Sequence, residues 1–433
     1  MIVRPLVLLL ATAACTAPSP VAWQGCPKTP DLECSTTTVP VDWDRPGGRS
    51  ITLDVARLKA TDPDKRIGVV LFNPGGPGAS GISALARAKS AFAGLRTRFD
   101  VVTWDPRGTL LAKAPSCVDG PVSDAPADRA DYERKAKDNA ALVARCRDTD
   151  PELFDHSDSA SQARDMDQIR KALGEDTISY FGQSYGGVFG VTYARLFPGR
   201  LRAMALDGII NHTADNAALE AMMQTTNQRA FTEFAARHPR EAAAWRDLLT
   251  RAPIPVKGAP KPLSYNAFDL QNAAYTLLID NAKHAELAAA INQARQGDAT
   301  LFAARAGQRK FWTPAFGLAT QCADGFRYEN YDDYAVSAER EKRTAPDFPT
   351  FRSGYQASTC AGFPVPTRNP RGPLSTAKLP PLLGVSGLVN QPETQDVIRR
   401  VPNSTMLPIQ KWAHVLYQHD PAARDQVDHY FTG

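Results

Sequence analysis

No stretch of this chain beyond its first residues approaches 18 consecutive apolar residues, so no permanent transmembrane helix is expected. CxxC, HExxH and GxxxxGKS/T patterns are all missing, which removes the usual zinc, metalloprotease and phosphate-loop signals. No metal and no cofactor is therefore expected. Repeats and low-complexity tails are missing too, which excludes solenoids and disordered arrays. Neither sign of charge dominates: 50 Lys plus Arg against 46 Asp plus Glu leaves +4, with no basic stripe behind it. That excludes a nucleic-acid binder as the leading reading. What is present is ordinary globular composition, 43% hydrophobic and 22% charged over 433 residues, enough to bury a large core.

The first residues read as an address. Arg4 precedes the apolar run Leu6 to Leu10, and small residues follow, as in a secretory signal peptide spanning about residues 1–20. Cys15 follows Thr12-Ala13-Ala14, so two readings stay open: a lipid anchor on Cys15, or cleavage near Ala14 or Ala17. Either places the protein outside the cytoplasm, secreted or anchored at the cell surface. Setting Cys15 aside leaves six cysteines, an even set that an oxidising compartment can pair in 15 ways. Proximity in sequence favours Cys26–Cys34, Cys117–Cys146 and Cys322–Cys360.

Residues 38–57 alternate and break at Pro-Gly-Gly, which predicts a hairpin. The continuous apolar run Ile67–Phe72 and the mostly apolar segments Phe99–Trp104, Thr177–Phe181 and Arg202–Leu206 predict strands, the first two of them buried. Between them lie helical patterns near residues 80–95, 159–173 and 185–196. Alternating strands and helices predict an α/β fold with a mostly parallel sheet covered on both faces. Residues 214–293 are Ala-rich and helical, residues 344–373 read as irregular, and strands resume at Leu382–Val385 and Met406–Ile409. The expected organisation is a core from 21–212 and 376–433, with a mostly helical cap inserted at 213–375.

Gly182-Gln183-Ser184-Tyr185-Gly186 is a GxSxG sequence between a predicted strand and helix. Chance gives about 0.1 such motifs in a chain of this composition, so the context matters more than the match. A sharp strand-to-helix turn raises Ser184 as a nucleophile, and the Tyr185 N–H at the helix start suits a developing oxyanion. The loop Asn73–Gly78 is placed to give a second donor. Pro74 and Pro77 have no N–H, which leaves Gly75, Gly76 and Gly78, with Gly76 preferred. A serine nucleophile needs a base. Of the seven histidines (156, 212, 238, 284, 414, 419 and 429), His414 follows the last strand and is the candidate, with His419 next. The acid of such a triad belongs in the loop after Leu382–Val385, and there the position holds Asn390, an amide. Glu393, Asp396 and Asp207 are the carboxylates that could substitute for it.

These motifs carry a family likeness. VPVDWDRP, NPGGPGAS, FDVVTWDPRGT, ARDMDQIRKALG, ISYFGQSYGG and the LDG at 206–208, with Cys322, Asp324, Cys360 and His414, occur in order along nearly the whole chain. Together they resemble the secreted tripeptidyl-aminopeptidase-like branch of the prolyl aminopeptidase family of α/β-hydrolases. The resemblance implies an α/β-hydrolase core with a helical cap. It implies an exopeptidase that releases short peptides from substrate N-termini through Ser184 and His414. A cap carboxylate would hold the substrate ammonium, and Glu220 is a candidate, although a solvated helix face is its commoner role. The chain departs from the family pattern at Asn390, at Leu110 and Ala112 after DPRGT, and at Asn211. Two other readings therefore stand beside the peptidase: a hydrolase of non-peptide esters or amides, and a catalytically weakened relative that binds peptides or a partner.

Overall fold

A computed structural model describes residues 21–27, 29–120, 124–305 and 313–433. The predicted leader at 1–20 and Cys15 lie outside the described residues. The strands are β1 (Gln24–Cys26), β2 (Thr29–Pro40), β3 (Ser50–Leu58), β4 (Gly68–Asn73), β5 (Phe99–Trp104), β6 (Ile178–Gln183) and β7 (Leu201–Asp207), then β8 (Ile254–Pro255), β9 (Ser264–Tyr265), β10 (Leu382–Ser386) and β11 (Thr405–Pro408). Nine of them form one sheet in the order β1-β2-β3-β5-β4-β6-β7-β10-β11, and β8 pairs only with β9. The pairs from β1 to β5 are antiparallel, and every pair from β5 through β11 is parallel.

β4, β5 and β6 are buried at every position and mostly apolar, because both faces of the sheet are covered there. Side chains of the parallel strands divide with period two. Val69, Leu71, Tyr180, Met204 and Leu206 point to one side, where Ala163, Met166 and Ile169 of the helix Ser159–Ala172 pack. Val70, Phe72, Phe181 and Ala205 point to the other, onto Leu85, Phe92, Val427 and Phe431. The turn at 41–49 joins β2 to β3 as the hairpin pattern anticipates.

Between β7 and β10 the chain leaves the sheet and builds helices with a core of their own, around Phe231, Trp245, Phe268, Leu287, Phe302 and Phe348. Leu388, Val389 and Trp412 join that cluster from the loops after β10 and β11. The inserted helices thus rest on the loops that carry Asn390 and His414. Within this region the residues read as irregular contain a helix, Phe351–Cys360. Its sequence, FRSGYQASTC, is buried nearly all round, so no polar face marks a helical period. Tertiary contacts hold it: the Asn139 amide donates to the Ser358 carbonyl at 2.5 Å, and Cys360 is bonded to Cys322. Asn139 belongs to the helix Arg129–Arg147, which the sequence patterns did not reveal. The other disulfides join Cys26 to Cys34 and Cys117 to Cys146. The helix expected near 80–95 ends at Ala88 and gives way to short turns.

Two of the motifs that carry the family likeness meet in the core as a structural pair. Arg107 of DPRGT and Asp165 of ARDMDQI are both fully buried. The guanidinium spans the carboxylate at 2.5 and 2.8 Å and also donates to the carbonyls of Val41, His156 and Pro40. Trp43 donates to the same carboxylate at 2.9 Å. Removing one partner strands a buried charge, which costs about 3–5 kcal/mol. Arg107→Ala is expected to lower unfolding free energy by about that much in urea titration. A loss below about 1 kcal/mol would show that the pair does not hold the core.

Candidate active site

β6 ends at Gln183, and Ser184 stands on the turn into the helix Gly186–Leu196 with φ at 54°. A positive φ in a residue with a side chain is costly, so the surroundings must impose it. They do so by crowding: a Cβ on Gly186 would come within 2.6 Å of the Asn73 carbonyl oxygen. Only glycine lets the helix approach β4 that closely. The Gly75 N–H donates to Asn73 Oδ1 at 2.8 Å and is not free for an oxyanion. Among the described residues, the N–H groups of Gly76 and Tyr185 have no acceptor, and both residues line the cavity that Ser184 enters. The Tyr185 side chain runs the other way, and its hydroxyl donates to Asp324 at 2.7 Å.

His414 Nε2 lies 2.8 Å from Ser184 Oγ, and its Nδ1 lies 2.6 Å from Asn390 Oδ1. With the serine hydroxyl donating to Nε2, the proton sits on Nδ1 and is donated to the amide oxygen. Asn390 thereby fixes the tautomer and orientation of the ring, but it carries no charge to oppose an imidazolium. Desolvation within the walled cleft, with the positive charge of Arg352, holds the His414 pKa below its ordinary 6.5.

A carboxylate 209 residues away in sequence sets the position of the histidine loop. Asp207, at the end of β7, accepts the N–H groups of Leu416 and Tyr417 at 2.9 and 3.0 Å and the Gln183 amide at 2.8 Å. Gly208 lies directly against the His414 carbonyl, with φ at 59° and no room for a Cβ. Asp207 is thus a fastener for the loop and does not take the acid position; burial raises its pKa to about 6. Neither Glu393 nor Asp396 takes it, since Nδ1 of the imidazole is engaged by Asn390. Glu393 is buried one turn beyond Asn390, with one oxygen lacking a partner and a pKa raised by burial to about 7. Asp396 binds Asn211 and Arg400. His419 makes no hydrogen bond with Ser184, whose partner is His414. His212 is sealed between Arg195 and the Asp324 carbonyl.

The cavity measures about 460 Å³, and Met223, Tyr275, Phe326, Phe351, Arg352 and Tyr355 of the inserted region close it over Ser184. Glu220 also lines it, but not as a solvated face: it is 3% exposed. Nor does it offer a free charge. Its carboxylate accepts from the hydroxyls of Tyr328 and Ser337 and pairs with Arg340 at 2.5 Å. Sequence patterns did not single out Asp324 and Arg352 as site residues. Asp324 stands beside Cys322 in a recognisable motif, whereas Arg352 lies in the segment read as irregular, where nothing marked it. Among the described residues no cluster of His, Cys, Asp and Glu is arranged to hold a metal ion, and no helix is long and apolar enough to cross a membrane.

A model of the alpha/beta hydrolase fold matches residues 68–338. The chain belongs to the alpha/beta hydrolase fold family. A tripeptidyl aminopeptidase of Streptomyces coelicolor is 35% identical over 226 residues, 48% of this chain and 41% of that protein. Serine protease Hip1 of Mycobacterium tuberculosis is 37% identical over 237 residues, 50% of this chain and 45% of its own. Carboxylesterase B of the same organism is 37% identical over 217 residues, 47% and 41% of the two chains. The chain thus spans less than half the length of these curated relatives. A solved proline iminopeptidase of Mycobacterium smegmatis aligns over 92% of this hydrolase-fold chain and 97% of its own, at 16% identity and a TM-score of 0.39.

Asn390→Asp places a carboxylate on Nδ1 and is expected to raise turnover at least ~10-fold; in serine proteases the reverse change lowers it about 10⁴-fold. Unchanged or lower turnover would show that Asn390 does not occupy the acid position. In the unaltered protein, the acid limb of kcat/KM is expected to fall below pH 6.5, because the lowered His414 pKa keeps the ring neutral further into acid. Asn390→Asp should move that limb upward, and a limb starting above 6.5 would contradict the environment described for His414.

Proposed function

We propose that this chain is an exported serine hydrolase that cleaves peptides near a chain end, or small esters and amides, through an acyl-enzyme. The observation that carries the reading is the 2.8 Å contact between Ser184 Oγ and His414 Nε2 on a strand-to-helix turn. Ser184 attacks the substrate carbonyl while His414 takes its proton. The oxyanion forms within reach of the Tyr185 and Gly76 N–H groups. Collapse expels the amine or alcohol, which receives the proton from His414, and water activated by the same ring releases the acyl group.

Relatives named as a tripeptidyl aminopeptidase, a serine protease and a carboxylesterase support the acyl-transfer class. The inserted helices that line the cavity narrow the approach to Ser184, which favours short substrates or chain ends. Capture of an N-terminal ammonium, as in the aminopeptidase reading, would call on Glu220, whose charge Arg340 already offsets. The three disulfides suit an extracytoplasmic setting, and export through the leader or an anchor at Cys15 belongs to this reading.

Asn390 favours one second reading, a weakened relative that binds peptides without turning them over. An amide in place of the acid costs about 5.4 kcal/mol of transition-state stabilisation if it costs 10⁴-fold. A fluorophosphonate probe separates the two readings. Covalent label on Ser184, lost in Ser184→Ala, is the expected result. Folded protein that takes no label would establish the binding reading instead.

A further inference from the structure

Two charged side chains line the cavity over Ser184, Glu220 and Arg352. Arg340, Tyr328 and Ser337 occupy the carboxylate of Glu220. Arg352 has no such compensation. Among the described residues its guanidinium makes no ion pair. Its Nη2 donates to the neutral amide oxygen of Asn227 at 3.2 Å, and its Nε is buried without a partner. The group is held in place by the rings of Tyr275 and Phe351, at 4.7 and 4.9 Å, which stiffen it by cation–π contact. Two carboxyls lie in its field, but neither pairs with the guanidinium. Glu341 is occupied by the backbone N–H groups of Arg352 and Ser353 and by the Ser353 hydroxyl, and Glu393 is buried apart. Burial raises both to a pKa of about 7, so their negative charge is only partly developed near neutrality. Among the described residues, the cavity that Ser184 enters therefore presents one cation, Arg352, that makes no ion pair and whose charge Glu341 and Glu393 offset only in part.

We propose that the substrate carries a free carboxylate, held by Arg352 in the cleft, and that this anion rather than an N-terminal ammonium selects what the enzyme cleaves. The inference rests on the serine-hydrolase reading above. A guanidinium matches a carboxylate in geometry and charge, and the pair is strongest where water is scarce. Binding has a second consequence. Arg352 disfavours an imidazolium at His414, and Asn390 supplies no negative charge to stabilise one. A carboxylate on Arg352 cancels the first effect, so the substrate contributes part of what the missing acid would have supplied. The carboxylate has two sources, a peptide C-terminus or an acidic side chain, which share this chemistry.

The test compares monomethyl adipate with methyl hexanoate by titrating the acid released. Peptides with a free C-terminus are compared with their amides, and peptides with Glu near the scissile bond with their Gln counterparts. A charge-assisted pair predicts about 10- to 100-fold higher kcat/KM for carboxylate substrates. Whichever peptide arm shows the preference identifies the source. Arg352→Gln is expected to bring the ratio toward one, and Arg352→Lys to retain part of it. Adipate, but not adipamide, should slow fluorophosphonate labelling of Ser184. Protein that labels but shows no carboxylate preference overturns this inference and leaves the hydrolase reading intact. If no label forms, the hydrolase reading fails, and calorimetric titration of adipate into the unaltered protein still decides whether Arg352 forms an anion site: no binding overturns it. Should Arg352→Gln fail to unfold cooperatively, the lysine variant and the unaltered protein decide the same question.

Discussion

The carboxylate of Asp207 receives two backbone N–H groups from the loop after β11 and one amide from the end of β6, and the geometry of the site follows from that junction. Ser184 and His414 are 230 residues apart in sequence. Nothing local brings them together. The sheet places β6 beside β7, and the side chain at the tip of β7 then grips the histidine loop. Gly208 lets the loop lie flush on the strand end. A carboxylate in this position is buried, and hydrogen bonds to otherwise orphaned donors offset only part of its desolvation cost.

The electrostatics around His414 differ from those of a serine-histidine-aspartate triad. The amide of Asn390 orients the ring as an acid would, while the cleft and Arg352 press the ring toward its neutral form. In the proposed mechanism neutral imidazole is the competent base, so attack by Ser184 is not impeded in the ground state. The difficulty arises after proton transfer, when the imidazolium must be tolerated. In the proposed reaction, charge arriving with a carboxylate substrate would offset that cost.

The inserted helices act through what they close off. Their separate core packs on Leu388, Val389 and Trp412 in the loops carrying Asn390 and His414, so the inserted helices and the site are packed together. The Tyr185 hydroxyl on Asp324 adds a second link, because the residue after the nucleophile is tied to a carboxylate at the start of the loop following Cys322.

Strands β4 to β7 and the elbow at Ser184 were legible in the sequence. Each depends on a short-range rule: a mostly apolar run for a doubly covered strand, and small residues around a tight turn. His414 and Asn390 were legible from chain order instead, after the last strand and after β10. The helix Phe351–Cys360, the engagement of Glu220 and the exposure of Arg352 to the cleft were not. A helix buried all round shows no amphipathic period, and a charge reveals its partner only when distant segments meet. By itself the sequence determined the strands, the strand-to-helix turn at Ser184 and the amide at position 390, because those are written in neighbouring residues or in chain order. Tertiary structure alone decided which charges were cancelled and which were left facing the serine, because cancellation depends on contacts between segments far apart in the chain.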